Sequence, residues 1–372
     1  MSTIKEVTVF TNGDSNEIST WSNVPFFFTT SLEKKGIKVN RVNFKSNSLF
    51  ARLFDSFMWH FCKKFTTYTY LHSYTNFVLT RRLIRQRVKR YPNSDADIFL
   101  SFSFSSVGLT NKPIVQFCDW TYDHYIRHRE KRKPDFLERK AIEREDSQIN
   151  GADMVVCLFP GVATYMQQRY GKERVVYLGN VINSLYEVSE DSVCLKKKAK
   201  KLLFVGNHEY VEGAKSLIAA FALLKQDYPE LTLHIIGMEQ TTFDCLPEDV
   251  FCYGYLDKGV DAHRDLYYQL VREATIFINT TPQWGAFSAS IEAMYFYTPV
   301  IVSPYAEFVE TFGSPIDFGC YCEDNSPALI ERSARTVLEH SNYQKLCVRA
   351  HEAVKDFTWD AYVDKFIAKI EI

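Results

Sequence analysis

The order of apolar runs and helical stretches predicts an α/β protein built from two Rossmann-like halves. Three observations carry this reading. Short β-type runs alternate with helical stretches along both halves of the chain. A polar segment at 184–200, ending in a cluster of lysines, separates the halves. The 372 residues, 46% of them hydrophobic, suffice for two sizeable cores. The expected layout is an N-terminal domain over 1–183, a linker over 184–200, a C-terminal domain over 201–355 and a last helix over 356–372.

In the first half, Glu6–Phe10 reads as a strand that closes on Thr11-Asn12-Gly13-Asp14. Pro25 opens a helical stretch to Lys35, Gly36 caps it, and Ile37–Asn43 alternates as strand two. No Gly-x-Gly-x-x-Gly follows the first strand, so a dinucleotide is not implied. Residues 48–91 look helical and mix aromatics with cations. From 51 to 91 there are nine Lys or Arg against one acid, Asp55. Such a segment can lie on an anionic membrane surface, or its aromatics can be core and its arginines solvated. Ala96–Phe102 and Lys112–Cys118 read as strands. The second delivers Asp119 into a loop at a strand's C-terminal end, where open α/β sheets hold ligands. Asp119 is therefore a site candidate, with a turn or N-cap aspartate as the alternative. Residues 140–150 read as a polar helix. Strand 153–158, helix 160–170 and strand 175–178 complete the half.

In the second half, Lys201–Gly206, Leu231–Gly237 and Val250–Gly254 read as strands. Helices fill Gly213–Gln226 and Leu266–Arg272. Ala274–Ile278 is the next strand, Asn279–Gly285 a polar loop, Ser288–Tyr297 a helix and Val300–Val302 a strand. This unit sets a helix N-terminus beside a bound phosphate. Glu292, in its first turns, could accept from sugar hydroxyls or simply complement the macrodipole.

Composition excludes several classes. A net charge of −1 argues against a general nucleic-acid binder. Aromatic residues make up 15%, enough for aromatic-rich cores or sugar-stacking surfaces. Nine dispersed cysteines form no Cys-x-x-Cys pair, and Cys320-x-Cys322 is too tight for a usual zinc site. They read as reduced thiols of a cytosolic protein, with no metal site expected. No signal peptide is expected before the first strand, and no apolar run is long enough for a transmembrane helix.

Several stretches, in order, resemble the GT-B glycosyltransferases, more narrowly the retaining family four. Trp21-Ser22-Asn23-Val24-Pro25 resembles the family's WSGTP segment, and Asp119-Trp120-Thr121 its DAT segment. Ala152–Val156 with Tyr170-Gly171 resembles the AD-apolar and YG pair. Leu178–Asn183 stands where PNGVN is usual, and Phe204-Val205-Gly206 with Gly213 matches the FVG and KG loop. Leu233–Gly237, Tyr253-Gly254 and Phe357-Thr358-Trp359 also fit. Together these stretches span nearly the whole chain. Three positions depart from the pattern. The first Glu of the family's E-x7-E motif is Trp284, the Lys before Gly213 is Glu212, and the usual Arg region reads Asn207-His208-Glu209.

The resemblance implies two Rossmann-like domains facing each other across a cleft, with C-terminal helices crossing back to the first. It implies a nucleotide sugar, UDP- or GDP-linked, as substrate, no cofactor and no metal. Glu292 would bind ribose hydroxyls; Tyr253, Gly254 and Tyr255 would lie near the base. Backbone N–H groups across Gly285, Ala286, Phe287 and Ser288 would meet phosphate or sugar oxygens, beside Trp284. Gly206 and Asn207 would approach the phosphates, and Lys215 could replace a missing cation. Asn23 would face the donor from domain one, and Asp119 would touch the transferred sugar or orient the acceptor. The implied reaction is retaining, front-face transfer to a hydroxyl of a growing polysaccharide, lipopolysaccharide or glycolipid. The expected location is the cytoplasm, peripheral on the inner face of the membrane through residues 48–91. Two alternatives stay open: a GT-B binding or scaffold protein without transfer activity, and a GT-B enzyme of another reaction type, such as an epimerase or phosphorylase.

Overall fold

A computed structural model describes residues 4–46, 48–171, 173–190, 193, 196, 199–281 and 287–370. The chain divides into two compact units: residues 1–180 with 359–372, and residues 181–358.

The first unit is a six-stranded sheet in the order β2-β1-β3-β4-β5-β6. Its strands are β1 (Glu6–Thr11), β2 (Lys38–Asn43), β3 (Ala96–Phe99), β4 (Ile114–Cys118), β5 (Met154–Cys157) and β6 (Val175–Tyr177). All are parallel. β3 and β5 are buried at every position, as strands covered on both faces must be. The chain leaves β1 toward β2, then returns to β3 on β1's other side. The topological switch therefore lies between β1 and β3. The helix Val24–Lys34 covers one face, with Pro25 in its first turn. The last helix, Trp359–Ile370, belongs to this unit. Phe366 meets Phe28 edge-on at 5.0 Å, and Ser31 donates to Asp360 at 3.0 Å.

The second unit repeats the plan in the order β12-β11-β10-β7-β8-β9. Its strands are β7 (Lys201–Val205), β8 (Thr232–Ile236), β9 (Val250–Cys252), β10 (Ile276–Asn279), β11 (Val300–Val302) and β12 (Gly319–Tyr321). The switch falls between β7 and β10, which pair in parallel. Apolar cores lie on both faces of the sheet. The lysine-rich stretch expected as a linker is in part core. Val193 and Lys196 are buried, and Lys196 Nζ donates to Val271 O, Ala274 O and Thr298 Oγ1. The lysine caps the C-terminal carbonyls of the helix Asp261–Glu273. Its charge is what made the segment look solvated. Eight cysteines are free thiols among the described residues. No described helix is long and apolar enough to cross a membrane.

Candidate functional site

A cavity of about 460 Å³ opens in the first unit at the switch between β1 and β3. Thr11 and Asn12, which end β1, and Leu100 and Ser101, which follow β3, form part of its wall. The segment 67–72, Trp21, and Cys118 with residues 120–122 complete much of the rest. Trp21, Ser22 and Asn23 all take left-handed backbone, at φ 37°, 54° and 71°. Three such non-glycine residues in a row store strain, a feature that clusters at ligand sites. Asn is one of the few residues that tolerates this conformation. Its side chain donates to the Ile18 carbonyl. Asn23 thus ties the loop to Ile18 through its amide nitrogen.

Asp119 follows β4, between the cavity-lining residues Cys118 and Trp120. Its Oδ1 accepts from the Trp120 N–H at 2.8 Å and from the Cys118 thiol at 3.3 Å. Trp21 also bonds its side chain. Burial raises the Asp119 pKa above the usual carboxylate range, against the pull of these bonds.

Two cavity residues escaped the reading of the sequence. Glu145 sits on the helix Phe136–Asn150 with Glu138, Ala141, Ile142, Gln148 and Ile149 on the buried side. It accepts from the Tyr122 N–H at 2.7 Å and from Ser103 Oγ at 2.9 Å. Burial pushes its pKa up to about 7. His72 stacks on Tyr122 with ring centroids 3.8 Å apart. Burial lowers its pKa to about 4, so it is neutral at physiological pH. The signal for Glu145 was its place at core-facing helical spacing. In a segment as charged as 140–150, one acid more did not stand out.

In the second unit, Gly206 and Asn207 follow β7 at the switch. Asn207 Oδ1 accepts from the Glu209 N–H at 3.0 Å, capping a short turn. Gly213, in the helix Val211–Leu224, lies against the start of the β10 loop. A Cβ there would fall 1.8 Å from Thr281 Oγ1, so only glycine allows this approach. Gly254 takes φ 62°, and a Cβ on it would strike the Glu239 carboxylate. Tyr253 donates to or accepts from His234 Nδ1 at 2.7 Å, while Tyr255 is exposed.

Lys215 stands exposed and pairs with Glu212 at 2.9 Å, so its charge is already shared with a carboxylate one turn away. The Phe287 ring is buried against Phe308 and Phe312, leaving only its backbone for a ligand. Trp284, Gly285 and Ala286 lie outside the described residues. Ser288 is exposed and opens the helix Ser288–Tyr295, whose N-cap residue Phe287 makes no side-chain cap bond among the described residues.

Glu292 is buried, with both oxygens engaged. Oε1 accepts from Lys258 Nζ at 2.6 Å, and Oε2 accepts from the Tyr267 hydroxyl at 2.7 Å. Lys258 also donates to the Asn183 carbonyl at 3.3 Å and lies 4.2 Å from the Tyr267 ring centroid. The carboxylate is thus one corner of a closed ionic network in the second turn of the post-switch helix.

Residues 187–356 match the family model of "Glycosyl transferases group 1". The second unit is a group 1 glycosyltransferase domain. No curated protein matches the chain. Solved structures resemble it over its length. A sucrose-phosphate synthase from Thermosynechococcus elongatus superposes with a TM-score of 0.68 at 14% identity, covering 99% of this chain and 98% of that one. HepE from Anabaena, in complex with UDP and glucose, gives 0.62 at 14% identity over 99% of each chain. A glycosyltransferase from Rickettsia africae gives 0.59 at 13% identity over 98% and 97%. The fold of the glycosyltransferase is therefore GT-B.

Proposed function

We propose that the protein is a retaining glycosyltransferase that moves a sugar from a UDP- or GDP-linked donor to a hydroxyl of a growing glycan. The carrying observation is Glu292, fixed in a group 1 glycosyltransferase domain at the helix that follows the β10 loop. HepE was crystallised with UDP and glucose, which favours UDP among donors. Glu292 holds the ribose hydroxyls, and Lys258 and Tyr267 hold Glu292. Tyr253, Gly254 and Tyr255 lie along the base, Gly206 and Asn207 along the phosphates, and Ser288 at the helix N-terminus receives phosphate or sugar oxygens.

In the front-face route, the acceptor hydroxyl attacks the anomeric carbon from the side of the departing phosphate. The bond from that carbon to the phosphate oxygen breaks as the new glycosidic bond forms. The hydroxyl proton passes to the leaving phosphate oxygen, a route that we propose runs without a metal. Asp119 orients the acceptor hydroxyl. The cavity beside it is walled by Trp21, Trp120 and Tyr122, which suits the apolar face of a sugar ring. The protein works in the cytoplasm, peripheral on an anionic membrane surface through residues 48–91.

Thermal shifts across nucleotide diphosphates and sugar nucleotides test the donor reading. A stabilising UDP or GDP sugar is expected; a flat response to all of them overturns it. The anomeric proton coupling of the product, read by NMR, tests retention. A second reading, a GT-B binding protein without transfer, is favoured by the pairing of Lys215 with Glu212, which leaves a donor phosphate with less cationic help. Slow hydrolysis of a nucleotide sugar without acceptor separates the two.

A further inference from the structure

The helix Leu49–Phe57 continues as a wider turn over Met58–Cys62, and two apolar stripes run along it. One stripe, Ala51, Phe54, Met58 and Cys62, is turned inward, and Phe54 and Met58 pack on a core that includes Tyr68, Tyr122 and Ile142. The second stripe, Phe50, Leu53, Phe57 and Phe61, repeats at helical spacing and is open. Exposure along this segment runs from 56% at Phe57 to 75% at Phe65, with Leu49 and Trp59 equally bare. A soluble helix normally turns charge outward on that face. The ridge extends sideways. The Thr67 N–H and Thr66 hydroxyl both donate to Glu138, at 2.8 and 3.1 Å, which ties the end of this segment to the helix Phe136–Asn150, whose Phe136 and Leu137 are also exposed.

The rim of this ridge is basic. Arg52, Lys63 and Lys64 flank it, with Lys63 over the Trp59 ring at 4.7 Å. From 127 to 140 the sequence has seven Lys or Arg against three acids. The acid within the helix, Asp55, accepts from the Tyr70 N–H at 2.6 Å. A second copy of the chain on this ridge would press two basic rims together. An anionic surface neutralises them instead.

We propose that Leu49–Phe65, with Phe136 and Leu137, inserts its aromatic ridge among the acyl chains of an anionic bilayer while the flanking lysines and arginines meet lipid phosphates. This deepens the membrane reading above by naming the inserting face, and it rests on that reading but on no donor chemistry. Insertion differs from electrostatic adsorption in a measurable way, because buried apolar area resists salt where charge contact does not. The segment 67–72, which follows the ridge directly, is cavity wall. Docking would therefore hold that cavity close to the lipid surface, where a lipid-linked acceptor is presented.

The test is sedimentation of the full chain with vesicles of phosphatidylcholine alone and of phosphatidylcholine with phosphatidylglycerol. Binding to the anionic vesicles is expected, weakened but not abolished by high salt. The triple variant Phe50→Ser, Phe57→Ser, Phe61→Ser should bind roughly tenfold or more weakly. Its melting temperature and its nucleotide-induced shift should match the wild type, since the three rings are exposed; this separates a failed donor reading from a failed membrane reading. Equal vesicle binding by wild type and variant overturns the proposal. So does indifference of the wild type to both vesicles, including the case in which sedimentation velocity finds a wild-type dimer that the variant loses.

Discussion

Replacing Lys258 by methionine leaves the buried Glu292 carboxylate facing the Tyr267 hydroxyl with no cation. At the 2.6 Å separation of Nζ and Oε1, the gross attraction is about 6 kcal/mol at an effective dielectric of about 20. Desolvation of two ions offsets much of it, so the intact pair contributes little net stability. Removing one partner is different. It strands a charge and also removes the cation from the Tyr267 ring face. The expected loss for Lys258→Met is about 3–5 kcal/mol, a large share of a typical domain's stability. The double variant Lys258→Met, Glu292→Gln removes both charges and should recover about 2 kcal/mol or more of that loss. Urea denaturation of the wild type, both single variants and the double variant measures the coupling. UDP titration calorimetry on the stable double variant then separates support from binding. A coupling under about 0.5 kcal/mol would refute the closed network. Wild-type UDP affinity in the double variant would refute Glu292 as the ribose ligand.

Three further outcomes are expected. The Glu145 pKa rises on folding from 4.5 to about 7, so the folded state keeps a proton that the unfolded state releases between those values. Wild-type stability relative to Glu145→Gln should therefore be highest below pH 4.5, fall by about 3 kcal/mol up to pH 7, and stay level above it; denaturation at a series of pH values reads this, and a flat difference contradicts it. Asp119→Asn keeps the bond from the Trp120 N–H and, by loosening the alignment of the acceptor hydroxyl, should lower kcat about a hundredfold with little change in melting temperature; unaltered kcat removes Asp119 from that orienting role. Gly213→Ala puts a methyl against Thr281 Oγ1 and should cost about 1–3 kcal/mol despite alanine's better helix propensity, and the companion Thr281→Ala should restore part of it in the same melt.

Much of the fold was legible because parallel strands buried on both faces read as short apolar runs, as Val155-Val156 and Ile276–Ile278 do. The post-switch helix and Glu292 followed from the same strand–loop–helix rhythm. Lys196 misled because a lysine in a lysine-rich stretch signals solvent, and only the carbonyls of Val271 and Ala274 show otherwise. Lys215 has Glu212 as an ion-pair partner one turn away, which its closeness in sequence to Gly213 does not reveal. The aromatics of 48–91 were ambiguous between core and surface, and the structure divides them: Phe54, Tyr68 and Tyr70 turn inward, while Phe57, Trp59, Phe61 and Phe65 stay bare.

What the sequence by itself determined is local: alternating β and α periods, the turn residues at strand ends, and the motif order that resembles a glycosyltransferase. These depend on neighbours a few residues apart, so a linear reading suffices. Tertiary structure decided which charges find partners. Lys258 and Glu292 are 34 residues apart in the chain, and Thr67 and Glu138 are 71 apart. It also decided that Glu145 is buried beside Tyr122 and Ser103 in a cavity wall. Electrostatics and burial act through space, and no spacing along the chain records them.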